Sequence, residues 1–261
     1  MKWELNDMKL FDLSGRVAVV TGGNGGIGLG MAKGMAAAGA TVVVGGRDAA
    51  KNAAAVKELQ GMGAKAVAIP VDVLKEESCR ALIAGTMKQY GRLDILVNNA
   101  GTSVRKQPQD YSAAEWHFVI DSNLTSAFLC SHAAYPEMMK SGGGKIVNIG
   151  SMMSIFGASF ATAYAASKGG IVQMTKAMAT AWAKDNIQVN AILPGWIDTA
   201  LTQRARQEVA GLHDNVLKRT PAGRWGTPDD FAGIAVFLAA AASDFVTGSA
   251  ITVDGGYSVQ G

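Results

Sequence analysis

Residues 21–28 read TGGNGGIG, directly after the apolar run RVAVV (16–20). Five of these eight positions are glycine, although glycine loses more backbone freedom on folding than any other residue. The chain then takes on helical spacing from about Ile27 to Ala38, before Gly39. A strand, a glycine-rich turn and a helix in this order make the unit that binds a dinucleotide pyrophosphate. The glycines let the backbone approach the phosphates, and the unpaired amides at the helix N-terminus stabilise their charge. Gly22, Asn24, Gly26, Ile27 and Gly28 are therefore candidate cofactor-binding positions. A P-loop would require Lys-Ser/Thr after the last glycine, and Leu29-Gly30 stands there instead.

Outward from this turn, apolar and β-branched runs recur: TVVVG (41–45), AVAIPVD (66–72), LDILVNN (93–99), KIVNIGS (145–151), IQVNAILPG (187–195) and AITVDGG (250–256). Several are apolar without alternation, as strands covered on both faces are. Helical stretches separate them. The pattern predicts an α/β fold, a Rossmann-type doubly wound parallel sheet of about seven strands with helices on both faces. Ligands of such sheets bind beyond the carboxyl ends of the strands. Residues 1–261 are read as one domain, with the segment from Asp198 to about Trp225 as a lid over that edge.

Two features at that edge carry acid/base chemistry. In YAASK, Tyr164 and Lys168 stand four apart on a helix and share a face. A phenol beside an ammonium is a usable proton donor and acceptor, because the positive charge favours the phenolate. A Tyr-x-x-x-Lys pair is equally the ordinary content of a solvated helix face. Ser151, ending KIVNIGS, can donate to a carbonyl or alkoxide oxygen held by Tyr164. IGSMM is not a hydrolase elbow.

With these residues in place, the sequence resembles the short-chain dehydrogenase/reductases from about Leu13 to Gly256. The resemblance rests on Thr21–Gly28, NNAG (98–101), Asn123 in DSNLTSAF, Ser151, YAASK, PGWIDT (194–199) and TGSAITVDGG (247–256). It implies that Tyr164 is the general acid/base and that Lys168 lowers its pKa and holds the nicotinamide ribose. It further implies that Ser151 orients the substrate oxygen and that Asn123 holds a water in a proton relay. Asp72 and Val73 would flank the adenine. Asn98, Ala100 and Gly101 would lie beside the adenosine ribose, although Asn98 could instead stabilise the sheet. Pro194, Gly195, Ile197 and Thr199 would orient the carboxamide. The resemblance also implies a homotetramer, and the helix 164–184, apolar around much of its circumference, fits an interface.

The cofactor choice turns on VVVGGRD: Gly46 stands where an acid would accept the ribose 2′-OH, and Arg47 follows. A guanidinium suits a phosphate, so NADP is expected, with NAD the alternative. Asp48 reads as the N-cap of the next helix. Met152, Met153 and Trp196 are candidate pocket walls. The lid holds Arg204, Arg206, His213, Lys218, Arg219 and Arg224, which would either meet an anionic or polyhydroxylated substrate or form a solvated face. NIGSMMS, WAKDNIQVNAILPGW and TPAGRWGTPDD resemble the sugar-acid branch, such as gluconate and deoxygluconate dehydrogenases. The expected activity is an NAD(P)-dependent exchange between a secondary alcohol and a ketone. A 3-oxoacyl-carrier reductase shares the core, and a non-catalytic nicotinamide sensor would keep only the glycine turn.

Composition narrows the partners. Lys and Arg number 24 against 21 acids, a formal +3 without a basic cluster, which argues against nucleic acid. The uncharged stretch Phe231–Ser243 is too short to cross a bilayer and reads as a buried helix. The opening MKWELNDMKLFDLSG lacks the pattern of an export signal. Cys79 and Cys130 have no paired-motif spacing and the three histidines are far apart, so a cytoplasmic protein with no metal site is expected.

Overall fold

In the computed structural model, which describes residues 8–261, all seven apolar runs become strands of one sheet. They are β1 (Val17–Thr21), β2 (Thr41–Gly46), β3 (Ala66–Pro70), β4 (Ile95–Asn98), β5 (Gly144–Ile149), β6 (Ile187–Pro194) and β7 (Ala250–Val253). Their order is β3-β2-β1-β4-β5-β6-β7, and every neighbouring pair is parallel. The connections supply α1 (Gly26–Ala37), α2 (Ala49–Gly61), α3 (Glu76–Tyr90), α4 (Ala113–Ile120), α5 (Ser126–Lys140) and α6 (Thr162–Trp182). The last third adds α7 (Ala200–Glu208), α8 (Leu212–Arg219) and α9 (Ala232–Ala239).

The unbroken apolar runs have a direct physical cause. Alternate residues of each strand enter two separate cores. Ala18, Val20, Val42 and Val44 pack with α1, α2 and α9 on one face. Val17, Val19 and Val43 pack with α3, α5 and α6 on the other. At the amino ends of β1 and β4, the buried Asp94 carboxylate accepts from the Val17 N–H at 2.9 Å and from the Arg16 and Arg92 guanidiniums. Burial pushes this carboxyl upward, but the Arg92, Val17 and Arg16 hydrogen bonds outweigh it and leave its pKa below the ordinary value.

Winding reverses between β1 and β4, so a crevice opens beyond their carboxyl ends. The segment expected as a lid carries α7 and α8 and leaves the sheet after β6. Its two ends are fastened together: the Gly226 N–H donates to the Trp196 carbonyl at 2.9 Å and the Asp198 N–H to the Gly226 carbonyl at 2.8 Å. The stretch expected as one helix over 231–243 is α9 between two short 3₁₀ turns. Of the amino-terminal segment read for export, residues 1–7 lie outside the described residues. Among the described residues no helix is long and apolar enough to cross a membrane.

Candidate active site

The glycine turn is shaped by the loop that follows β4. Asn99 Nδ2 donates to the carbonyls of Thr21 (3.0 Å) and Gly22 (3.1 Å), while Thr21 Oγ1 accepts from the Asn99 and Ala100 N–H groups. A Cβ at Gly28 would lie 2.4 Å from Asn99 Nδ2 and 2.5 Å from the Gly22 carbonyl, so α1 reaches the turn only as glycine. Gly25, the N-cap of α1, has no side chain to offer, and the first-turn amides of the helix carry no side-chain cap. Unpaired donors at a helix start facing an open cleft suit a diphosphate.

The cavity along this cleft has a volume of about 360 Å³. Gly22, Asn24, Gly26 and Ile27 line one end, and Tyr164, Lys168 and Ser151 the other. Ala100, Gly101, Pro194, Gly195, Ile197 and Thr199 lie between them. A second cavity continues past the sheet edge and is lined by Arg47, Asp72 and Val73. Three expected residues do not line either space. Gly28 is packed as described. Asn98 is buried in the sheet and donates to Ser131 Oγ (2.9 Å) and Asn148 Oδ1 (2.8 Å), and its neighbour Asn99 faces the cleft instead.

Asn123 is the third. It sits in a π-helical segment, Asp121–Thr125, that joins α4 to α5, a distortion that recurs at functional sites. Its Oδ1 accepts from the Thr102 N–H at 2.7 Å, and its Nδ2 donates to the Thr102 carbonyl and to Ser167 Oγ, each at 2.9 Å. The amide is therefore engaged by protein on both sides. A water held at this residue would meet its main chain or the second lone pair of Oδ1.

Tyr164 and Lys168 lie one turn apart on α6, with Lys168 Nζ 5.6 Å from the phenol ring centre. Nζ donates to the Ile149 carbonyl at 2.7 Å, and burial lowers its pKa to about 8. Burial raises the Tyr164 pKa, against which the Ser151 hydrogen bond and the positive Arg105 pull downward. Lys168 Nζ, held by the Ile149 carbonyl, stays close enough to the ring to act on the phenol in the same direction. Ser151 itself is set by the 3₁₀ turn Met152–Ser154: its Oγ accepts from the Met153 N–H at 3.1 Å. Ser154, which the sequence reading passed over, accepts from the Ser151 N–H and donates to the Lys168 carbonyl at 2.7 Å, tying the β5 end to α6.

Beside these groups a chamber of about 80 Å³ is walled by Met152, Met153 and Trp196, the three candidate walls, together with Phe160, Ser103 and Arg105. The Arg105 side chain is 11% exposed and pairs with Glu208 of the lid at 2.8 Å. None of the six basic or imidazole side chains of the lid lines this chamber. Arg204 pairs with Glu208, Arg206 with Asp198 over the Trp225 ring, and Arg224 with Asp230. Arg219 lies over Phe156 and Tyr257, and His213 stacks on Trp225. The cation at the substrate end comes from the loop after β4, four residues beyond NNAG. Among the described residues no cluster of His, Cys, Asp and Glu could hold a metal.

Comparison with known proteins agrees with this geometry. A family model described as enoyl-(acyl carrier protein) reductase matches residues 22–258. A 2-dehydro-3-deoxy-D-gluconate 5-dehydrogenase of Formosa agariphila is 43% identical over 248 residues, covering 95% of this chain and 94% of the relative. A gluconate 5-dehydrogenase of Gluconobacter oxydans is 39% identical, covering 96% and 98%. The crystal structure of a gluconate 5-dehydrogenase from Burkholderia cenocepacia, in complex with NADP and tartrate, superposes with a TM-score of 0.91 at 40% identity and covers 96% of this chain and 98% of that one. A single sheet edge thus carries the glycine turn, Ser151 and the Tyr164–Lys168 pair, and relatives near 40% identity span almost the whole length: the chain belongs to the short-chain dehydrogenase/reductase family and is an oxidoreductase acting on CH–OH groups.

Proposed function

We propose that this enzyme interconverts a secondary alcohol of a sugar acid and the corresponding ketone, with NADP as its dinucleotide and NAD as the alternative. The observation that carries the reading is the continuity of the uncapped α1 N-terminus, the Tyr164–Lys168–Ser151 cluster and the Arg105-walled chamber along one edge. The dinucleotide, when bound along this cleft, supplies or accepts hydride at the substrate carbon. Gly22, Asn24, Gly26 and Ile27 hold its phosphates, Asp72 and Val73 its adenine end, and Pro194, Gly195, Ile197 and Thr199 its carboxamide end. Tyr164 gives its phenolic proton to the ketone oxygen in reduction and takes it back in oxidation, Ser151 orients that oxygen, and Lys168 supports the exchange. Asn123 contributes a position for a relay water.

Arg105 gives the chamber a cation for the substrate carboxylate, and Met153 and Trp196 give it walls. The relatives' names point to sugar acids rather than acyl thioesters. The segment 198–225 serves as the lid of a one-domain protein. The homotetramer is supported by the large apolar side chains that α4 and α5 leave exposed, Trp116, Phe118, Phe128 and Met139; a monomer by light scattering would remove it. A cytoplasmic site is supported by two buried free thiols, Cys79 and Cys130.

The central test is Tyr164→Phe, assayed with a panel of sugar acids and their ketones. Turnover should fall by about 10²–10⁴-fold, the contribution of a positioned acid/base, while dinucleotide binding stays within a factor of about two. Turnover within tenfold of the parent would place the proton transfer elsewhere.

A further inference from the structure

We infer that the first turn of α2, through Lys51 and Asn52, decides which nicotinamide dinucleotide this enzyme accepts. The inference rests on the oxidoreductase reading above and goes beyond it to two residues that the glycine turn and Arg47 do not include.

Position 46 is where an acidic side chain would accept the ribose 2′-OH of NAD. The structure shows more than a missing acid there. Asn52 is 3% exposed, its Nδ2 donates to the Gly46 carbonyl at 2.8 Å, and its Oδ1 accepts from Asn24 Nδ2 at 2.7 Å. A Cβ built on Gly46 would lie 2.4 Å from that Asn24 nitrogen and 2.5 Å from that Asn52 oxygen. The amide bridge from α2 to the glycine turn therefore occupies the space an acid would need. Admitting one means breaking a hydrogen-bonded pair with a buried member, which leaves polar groups unsatisfied.

Lys51 supplies the complementary half. It lines both the cleft along the glycine turn and the cavity that holds Arg47. Among the described residues neither Lys51 nor Arg47 forms an ion pair. Both line one cavity, where a phosphate dianion would meet the two cations. Asp48 and Asp72 share this cavity and oppose the attraction. Asp48, however, is fixed as the N-cap, accepting from the Lys51 N–H at 3.0 Å. Position 46 thus has no room for an acid, and the cavity presents Arg47 and Lys51 to a 2′-phosphate.

The experiment measures dissociation constants of NADPH and NADH by their fluorescence, without sugar acid, on four proteins. Lys51→Gln, a change on an exposed side chain, should weaken NADPH about tenfold and leave NADH within twofold. Gly46→Asp alone should weaken both dinucleotides, whereas Gly46→Asp with Asn52→Ala should recover NADH and reverse the preference. Equal effects of Lys51→Gln on both dinucleotides, or a gain of NADH affinity in Gly46→Asp alone, would overturn the inference. A parent protein that bound neither dinucleotide would instead remove the oxidoreductase reading itself.

Discussion

Replacing Lys168 by methionine should abolish turnover and yet make the protein more stable at neutral pH. The ammonium is buried at 4% exposure, and desolvation brings its pKa from 10.5 to about 8. At ~1.4 kcal/mol per tenfold change in proton affinity, holding it charged at pH 7 costs the fold about 3 kcal/mol. Methionine fills a similar space without that charge, but it removes the hydrogen bond to the Ile149 carbonyl, a loss of about 1 kcal/mol or somewhat more. The net gain is about 1–2 kcal/mol, or roughly 4 °C in Tm for a chain of this length. The pH dependence identifies the cause. Between about pH 8 and the ordinary lysine value near 10.4 the unfolded chain binds the extra proton and the folded chain does not, so parent stability rises with pH across that window. The penalty is complete below about 8 and gone above the unfolded value. Urea denaturation of both proteins at pH 7 and pH 10 should therefore show the variant ahead at pH 7 and the gap closed or reversed at pH 10. A variant less stable at pH 7, or a gap of equal size at both pH values, would show that Lys168 carries no such burden.

Two further outcomes follow from other groups. Arg105→Met should lower kcat/KM for a sugar acid by about 10–100-fold, the loss of one charge-assisted hydrogen bond of ~1.5–3 kcal/mol, while a neutral polyol of the same length changes by less than about threefold; equal losses on both would assign Arg105 to its lid contact with Glu208 alone. Asp94→Ala should destabilise the fold by about 2–3 kcal/mol, below the roughly 3–5 kcal/mol of a fully buried pair because Arg16 and Arg92 are partly exposed. Its folded pKa is depressed, so the contribution is present above the unfolded carboxylate value near 3.9 and is lost as pH falls through the lower folded value. Denaturation curves at pH 7 and pH 2.5 should show the variant and the parent converging at the lower pH.

What the sequence made legible, and what it hid, divides along a physical line. A strand buried on both faces of a parallel sheet must be apolar at every position, so β1 to β7 announce themselves as runs, and ligand chemistry placed at their carboxyl ends falls at predictable residues: the turn after β1, Ser151 after β5 and the PGWIDT segment after β6. Asp48 was legible as an N-cap for a similarly local reason, since its oxygen meets an amide three residues on. The Asn98 side chain shows where such reading ends. Successive strand residues point to opposite faces, and a shift of one position sends Asn98 into the sheet and Asn99 to the glycine turn. Charge was the hardest to place. Six lid side chains that could carry positive charge drew attention by number, yet acids within the lid or at its base take up Arg204, Arg206 and Arg224. The cations that line the clefts, Lys51 and Arg105, the latter while paired with Glu208, lie on a helix start and a loop whose sequences would look the same if they faced water. A charge at a strand end is constrained by the fold, whereas a charge on a connection acquires its role only from which acids fold back to meet it. Selectivity among substrates and cofactors is therefore written in the part of this chain that pattern alone describes least, and it is there that substitution will change what the enzyme accepts while its chemistry stays in place.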